Sequence, residues 1–297
     1  MARPGEIAAM RRAIAISAAG LGATSPNPPV GCVVLDSGGR ITGEGYHERK
    51  GEAHAETQAL AAAGPLAAGA TAVVTLEPCN HQGRTPACRQ ALIDAKVSRV
   101  VVALIDPTSR GEGGAAELRT AGVDVETGVL AEEARVVLGP WLTALTAGRP
   151  VVTWPYVISD QGISALPDES EDARRLRLNA DAVLRADGSV TEAMPGSHGA
   201  GILHLDHGPT DDPAGVVTSL YQGGVRHLLL AGDLAMMAPF LAKGLIDRIY
   251  AYIPDGSPSR KPATNLPWPQ VPPGFLITGA ARLPGFVRIQ AQRKPDL

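Results

Sequence analysis

Aromatic residues are scarce in this 297-residue chain: Phe, Tyr and Trp together make up 4% of it. The core must therefore be built mostly from Ala, Val and Leu, and a hydrophobic content of 44% is enough to bury one. Cysteine is scarcer still, with three residues. Three thiols cannot build a disulfide framework, so a reducing, cytoplasmic setting is expected. Positive charge is lacking as well. Against 30 Asp and Glu stand 27 Lys and Arg, a net charge of −3, which leaves no electrostatic footprint for nucleic acid. No apolar run approaches the roughly 20 residues that span a membrane, so no membrane partner is expected. The Ala-rich N-terminus is interrupted by Arg11 and Arg12 and lacks the apolar stretch of a signal peptide. There is no GxGxxG and no internal repeat.

Two stretches carry chemistry. The first is His54-Ala55-Glu56. The second runs EPCNHQGRTPAC, from Glu77 to Cys88. Together they offer an imidazole, His54, two thiols, Cys79 and Cys88, and a free carboxylate, Glu56. Three N/S ligands with a fourth position left for water make a catalytic rather than a structural zinc site. Zinc lowers the pKa of bound water to roughly 7. Glu56, two residues from the imidazole, suits proton transfer between that water and a leaving amine. H-x-E followed by P-C-x-x-C marks zinc deaminases of bases. Here eight residues, not two, separate Cys79 from Cys88.

The pattern predicts alternating elements. Helices are expected over 5–20, 53–63 (with His54 and Glu56 in its first turn), 88–96, 115–121 and 130–145. Strands are expected over 30–35, from Ile41, over 71–76, 97–104 and 123–125, with Pro78-Cys79 opening a helix-forming region before the loop 80–86. Such alternation implies a mixed α/β sheet with helices on both faces. Gly148-Arg149-Pro150 reads as a boundary between domains 1–147 and 148–297. In the second, strands are expected at 151–157, 182–184, 225–231 and 246–253, helices at 170–179, 216–223 and 235–243, and weak strands near 275–277 and 287–289.

Several stretches now combine: Asn27-Pro28 with Val30-Gly31-Cys32-Val33, GEGYH (43–47), GEAHAE (51–56), GATAVVTLEPCNHQGRTPAC (69–88) and Asp106-Pro107. With them the chain resembles the bifunctional pyrimidine deaminase/reductase of riboflavin biosynthesis. The long spacer ending HxGRTPxC separates that family from cytidine and tRNA-adenosine deaminases. The resemblance implies a cytidine-deaminase-like three-layer α/β/α domain followed by a dihydrofolate-reductase-like α/β domain, truncated and divergent. It implies one zinc on His54, Cys79 and Cys88, with Glu56 as proton shuttle. Asn27 and His47 would contact the pyrimidine, His81 and Arg84 lie where the family meets the ribose phosphate, and Asp106 would also face the substrate. A guanidinium also forks well onto phosphate. The implied substrate is 2,5-diamino-6-ribosylamino-4(3H)-pyrimidinone 5′-phosphate, which loses ammonia. Cys32 reads as a core residue.

The second half resembles the reductase domain only in outline. Pro155 stands where the family has Lys, and Ala231-Gly232-Asp233 where it has an acidic residue followed by glycines. A reductase-like fold that does not bind NADPH productively, serving as a scaffold or assembly unit of a homodimer or higher homo-oligomer, is therefore expected. The alternatives are a deaminase of a related aminopyrimidine or pterin-like compound, an intact bifunctional enzyme, and a non-catalytic zinc protein. The intact Glu56 argues against the last.

Overall fold

The computed structural model describes residues 1–81, 86–108, 113–159, 162–208, 212–255 and 271–294. Two units, Met1–Gly139 and Pro140–Leu297, meet inside a helix. The first unit opens with α1 (Pro4–Ser17), begun by a proline whose missing N–H a first turn does not need. Among the described residues its sheet has five strands: β1 (Gly31–Leu35), β2 (Ile41–Tyr46), β3 (Thr71–Leu76), β4 (Arg99–Leu104) and β5 (Asp124–Thr127), ordered β2-β1-β3-β4-β5. β1 is antiparallel to both neighbours, and β3, β4 and β5 run parallel. Every residue of TAVVTL and RVVVAL, the sequences of β3 and β4, is buried. Strands covered on both faces read this way, as continuous apolar runs without alternation.

The crossovers are α2 (Ala55–Ala63), α3 (Cys88–Asp94) and α4 (Gly114–Thr120). Gly45 pairs with Cys32, and a Cβ on it would lie 2.5 Å from the Ala55 carbonyl oxygen and 2.6 Å from the Ala59 nitrogen of α2. Gly31, one residue before Cys32 and hence on the opposite face, would place a Cβ 2.1 Å from the Ala13 carbonyl oxygen of α1. The two helices thus cover opposite faces, which gives the three-layer arrangement. One layer of core joins Cys32, Val34, Val74 and Val102 to Ala55, Ala59 and Leu92.

Helix α5 (Ala131–Ala147) leads into the second unit. Its sheet has eight strands among the described residues: β6 (Val151–Ser159), β7 (Gly162–Ala165), β8 (Ala182–Arg185), β9 (Val190–Glu192), β10 (His227–Ala231), β11 (Arg248–Pro254), β12 (Phe275–Leu283) and β13 (Phe286–Arg293). The order is β12-β13-β11-β6-β10-β8-β9, with β7 on β6. Helices α6 (Glu171–Leu178), α7 (Pro213–Gln222) and α8 (Leu234–Ala242) complete it. Its core centres on Trp154, Leu184, Leu220, Leu228, Phe240 and Ile249.

Some expectations need correction. The helix expected from Ala53 begins at Ala55, and His54 is its N-cap in extended backbone (φ −70°, ψ 160°), not a first-turn residue. Residues Pro78 to His81 are not helical; the helix starts at Cys88, so the second thiol rather than the first lies at a helix start. The weak strands at 275–277 and 287–289 are a long antiparallel pair, β12–β13, turned at Gly285 (φ +79°). Strands β7 and β9 were not expected at all.

Candidate active site

The ends of β3 and the starts of α2 and α3 converge. His54 Nδ1, Cys79 Sγ and Cys88 Sγ all lie within 4.8 Å of one another. His54 Nδ1 is 3.2 Å from Cys88 Sγ and 3.7 Å from Cys79 Sγ. For bond lengths of about 2.0 Å to nitrogen and 2.3 Å to sulfur, a tetrahedral zinc puts its N and S ligands about 3.5 Å apart. The two distances straddle that value, so the donor set fits zinc in element type and in spacing. The Cys88 N–H donates to Cys79 Sγ over 3.2 Å, tying the two ends of the spacer together.

The electrostatics follow from burial and from the thiols. Hydrogen bonding from the Cys88 thiol, helped by His54 and the Cys88 N–H, pulls the Cys79 thiol well below its usual range. The same thiol–thiol bond, with burial and Glu56, pushes Cys88 up. His54 is raised, chiefly by its bond to Cys79. One thiolate is thereby favoured, and metal ligation requires both thiols to ionise. Glu56 is 3% exposed, and burial lifts its carboxyl to about 7 against the lowering effect of His54. A carboxyl so placed, hydrogen-bonded to Cys88, can take and release a proton near neutral pH.

His47 is buried, and its ring meets that of His54 edge-on with centroids 5.2 Å apart. Burial drops its pKa to about 4, so the imidazole is neutral. The Ala53 carbonyl can only accept, so His47 Nδ1 carries the hydrogen it donates there over 3.3 Å. Nε2 must then accept, and Asn27 Nδ2 donates to it over 3.2 Å. This fixes the Asn27 amide and leaves its oxygen as an acceptor. Asp106 is buried at the end of β4, where it accepts from the Thr108 N–H and hydroxyl. Burial raises its carboxyl, and Cys79 raises it further. His81 is exposed at the start of the spacer, and Arg84 lies outside the described residues. Cys32 is fully buried, its thiol pushed up by burial, as a core residue should be.

Three residues here escaped sequence reasoning. Asn80 follows one thiol, Arg89 follows the other, and the Arg89 guanidinium donates to the Asn80 side chain across the base of the spacer. Glu77, just before Pro78-Cys79, is buried with both oxygens engaged. For Asn80 and Arg89 the available signal was their place next to the two thiols.

In the second unit, Pro155 lies inside β6. It pairs with Tyr250 of β11, while on the other side pairing with β10 stops at Thr153 and pairing with β7 starts at Tyr156. The residue without an N–H thus stands where the ladder is interrupted. Past the end of β10, a Cβ on Gly232 would lie 2.3 Å from Met236 Sδ, so the thioether covers that stretch of backbone. Trp154 Nε1 donates to the Gly232 carbonyl oxygen over 3.1 Å, and the Asp233 carboxylate caps α8 by accepting from the Met236 N–H.

A family model of the cytidine and deoxycytidylate deaminase zinc-binding region matches residues 6–104. The riboflavin biosynthesis protein RibD of Mycobacterium tuberculosis is 40% identical over 274 residues, covering 78% of this chain and 80% of that protein. RibD of Escherichia coli is 41% identical over 197 residues, 63% of this chain and 53% of that one. The solved structure of Acinetobacter baumannii RibD superposes with a TM-score of 0.77 at 26% identity, covering 98% and 99% of the two chains. The diaminohydroxyphosphoribosylaminopyrimidine deaminase/5-amino-6-(5-phosphoribosylamino)uracil reductase of Thermotoga maritima, at 23% identity and a TM-score of 0.77, shares the fold.

Proposed function

This chain belongs to the RibD family of riboflavin biosynthesis proteins and is a zinc-dependent deaminase, and from that premise we propose that it deaminates 2,5-diamino-6-ribosylamino-4(3H)-pyrimidinone 5′-phosphate while its second unit has lost the reductase reaction. The observation that carries the first part is the convergence of His54, Cys79 and Cys88 beside the buried Glu56. His54, Cys79 and Cys88 would hold zinc, which when bound supplies a Lewis acid that makes water nucleophilic near neutral pH. Glu56 would take one proton from the water and pass it to a ring nitrogen, then take the second from the newly added hydroxyl and deliver it to the departing amine. The net change is hydrolytic: a ring C–NH2 and water become C=O and ammonia. Asn27 presents its amide oxygen to the ring, oriented by the neutral His47. Asp106 lines the same site, and the spacer residues His81 and Arg84 take the ribose phosphate. Its substrate is thus a phosphorylated small molecule.

The loss of reduction is supported by three features. Pro155 cannot supply a cation. Asp233 occupies the Met236 N–H at the helix end where a phosphate would otherwise bind, and adds a like charge. Met236 covers the backbone at Gly232, past the end of β10, where a Cβ would lie 2.3 Å from its sulfur. The second unit then acts as a scaffold or assembly unit in a homo-oligomer.

The test is ammonia release by zinc-loaded protein from that pyrimidine phosphate, with and without NADPH, beside Glu56→Gln. Release that depends on Glu56 and leaves NADPH absorbance unchanged is the expected result. NADPH oxidation would show a live reductase. No release from protein holding zinc would move the substrate to another aminopyrimidine.

A further inference from the structure

Glu77 sits between the end of β3 and the thiol of Cys79, and it is 5% exposed. Among the described residues no cation pairs with Glu77, and a buried carboxylate without one needs other donors. Glu77 has two, from two different segments. Its Oε2 accepts from the Asp106 N–H over 3.2 Å, and its Oε1 from the Ala115 N–H over 2.8 Å. Its own N–H donates to the Leu104 carbonyl oxygen over 2.8 Å. Ala115 is in the first turn of α4, whose N-cap, Gly113, has no side chain to offer. Glu77 therefore caps α4 from a neighbouring strand and holds the backbone of Asp106 with the same group. The helix start is seated closely: a Cβ on Gly114 would lie 2.0 Å from the Pro78 carbonyl oxygen.

We infer that Glu77 is a positioning residue for deamination, setting the height of Asp106 beside the metal-binding thiols so that Asp106 meets the pyrimidine. One carboxylate fixes the chain on both sides of the connection from β4 to α4. Because Cys79 follows within two residues, any shift of Asp106 is measured against the ligand itself. The role rests on the substrate reading of Asp106 given above. Glu77→Gln keeps shape and burial but replaces one acceptor oxygen with a donor, which faces another N–H. One of the two bonds is lost and the segment it held relaxes.

The experiment is a double-substitution cycle on the full zinc-loaded chain with the pyrimidine phosphate, using Glu77→Gln, Asp106→Ala and the pair, with zinc content measured for each. Glu77→Gln should raise KM roughly tenfold, the size expected for a lost bond to a charged group, with kcat within about twofold and zinc at wild-type content. In the Asp106→Ala background the same change should move KM less than about twofold, because the residue it positions is gone. A purely structural role would not produce that loss of effect. Additive KM effects, an unchanged KM in Glu77→Gln, or loss of zinc or folding in Glu77→Gln would each overturn the inference. Absence of ammonia release by the wild-type chain would instead remove the substrate reading, and the inference with it.

Discussion

The two units use the same local device, a side chain at a helix start, to opposite ends. In the first unit the N-cap of α2 is His54, which makes no capping hydrogen bond and turns its ring to Cys79 and Cys88. In the second the N-cap of α8 is Asp233, which spends its carboxylate on the Met236 N–H of its own helix. A side chain excused from local capping is free for chemistry, and one that caps is not. Capping by Asp stabilises a helix by about 1 kcal/mol, so the second arrangement is the more stable locally and the poorer one for anions.

This contrast breaks most sharply at the ligands. Cys88→Ala should abolish zinc binding and lower deamination at least about a thousandfold, since the metal contributes several kcal/mol to the transition state. Metal analysis with ammonia release checks it; retained zinc at wild-type content would remove Cys88 from the site. Next in size is Glu56→Gln, with an expected fall of about 10²–10⁴ in kcat at unchanged zinc content. A parallel loss of zinc would make Glu56 a ligand or a prop rather than the proton carrier. On the other side, Asp233→Ser keeps a cap and removes the charge. It should strengthen pyrophosphate binding by about 0.3–1 kcal/mol, read from thermal protection by inorganic pyrophosphate. No change would mean that the charge of Asp233 is not what separates the units.

The smallest expected effect lies in acid. Asp181 precedes β8, and its carboxylate accepts from the Arg226 and His227 N–H groups and from His198. Burial alone would raise its pKa, but those hydrogen bonds and His198 outweigh it and hold it below 3.8. A lowered folded-state pKa stabilises above the unfolded value, and that stability is lost as pH falls from about 3.8 through the folded one. Asp181→Asn should therefore flatten the acid limb of thermal stability of the second unit. An equally steep limb in the variant would assign the acid sensitivity to other carboxylates.

Much of this architecture was legible because it is written in unbroken apolar runs bounded by turn residues. The valine runs of β3 and β4 and the apolar β1 admit one reading. The long pair β12–β13 was nearly missed because its burial pattern leaves most of β12 half-buried or exposed, so polar and small residues interrupt the apolar signal. β7 and β9, of four and three residues, are too short to show a period. Within the site, His54, Cys79, Cys88 and Glu56 were recognisable by residue type and spacing. Glu77 was not, because its partners are backbone N–H groups 29 and 38 residues away. Sequence names side chains, and a bond to a distant main chain leaves no residue type to recognise.

Gly45 carries a consequence for genetics. Every amino acid reachable from glycine by a single-base change bears a Cβ, and at this position that atom would lie 2.5 Å from the Ala55 carbonyl oxygen of α2. The helix that presents His54 and Glu56 would have to lift off the sheet. A screen that scores only deamination would therefore rank position 45 with His54, Cys79 and Cys88. Clearance there is as strict a requirement as the chemistry it makes room for.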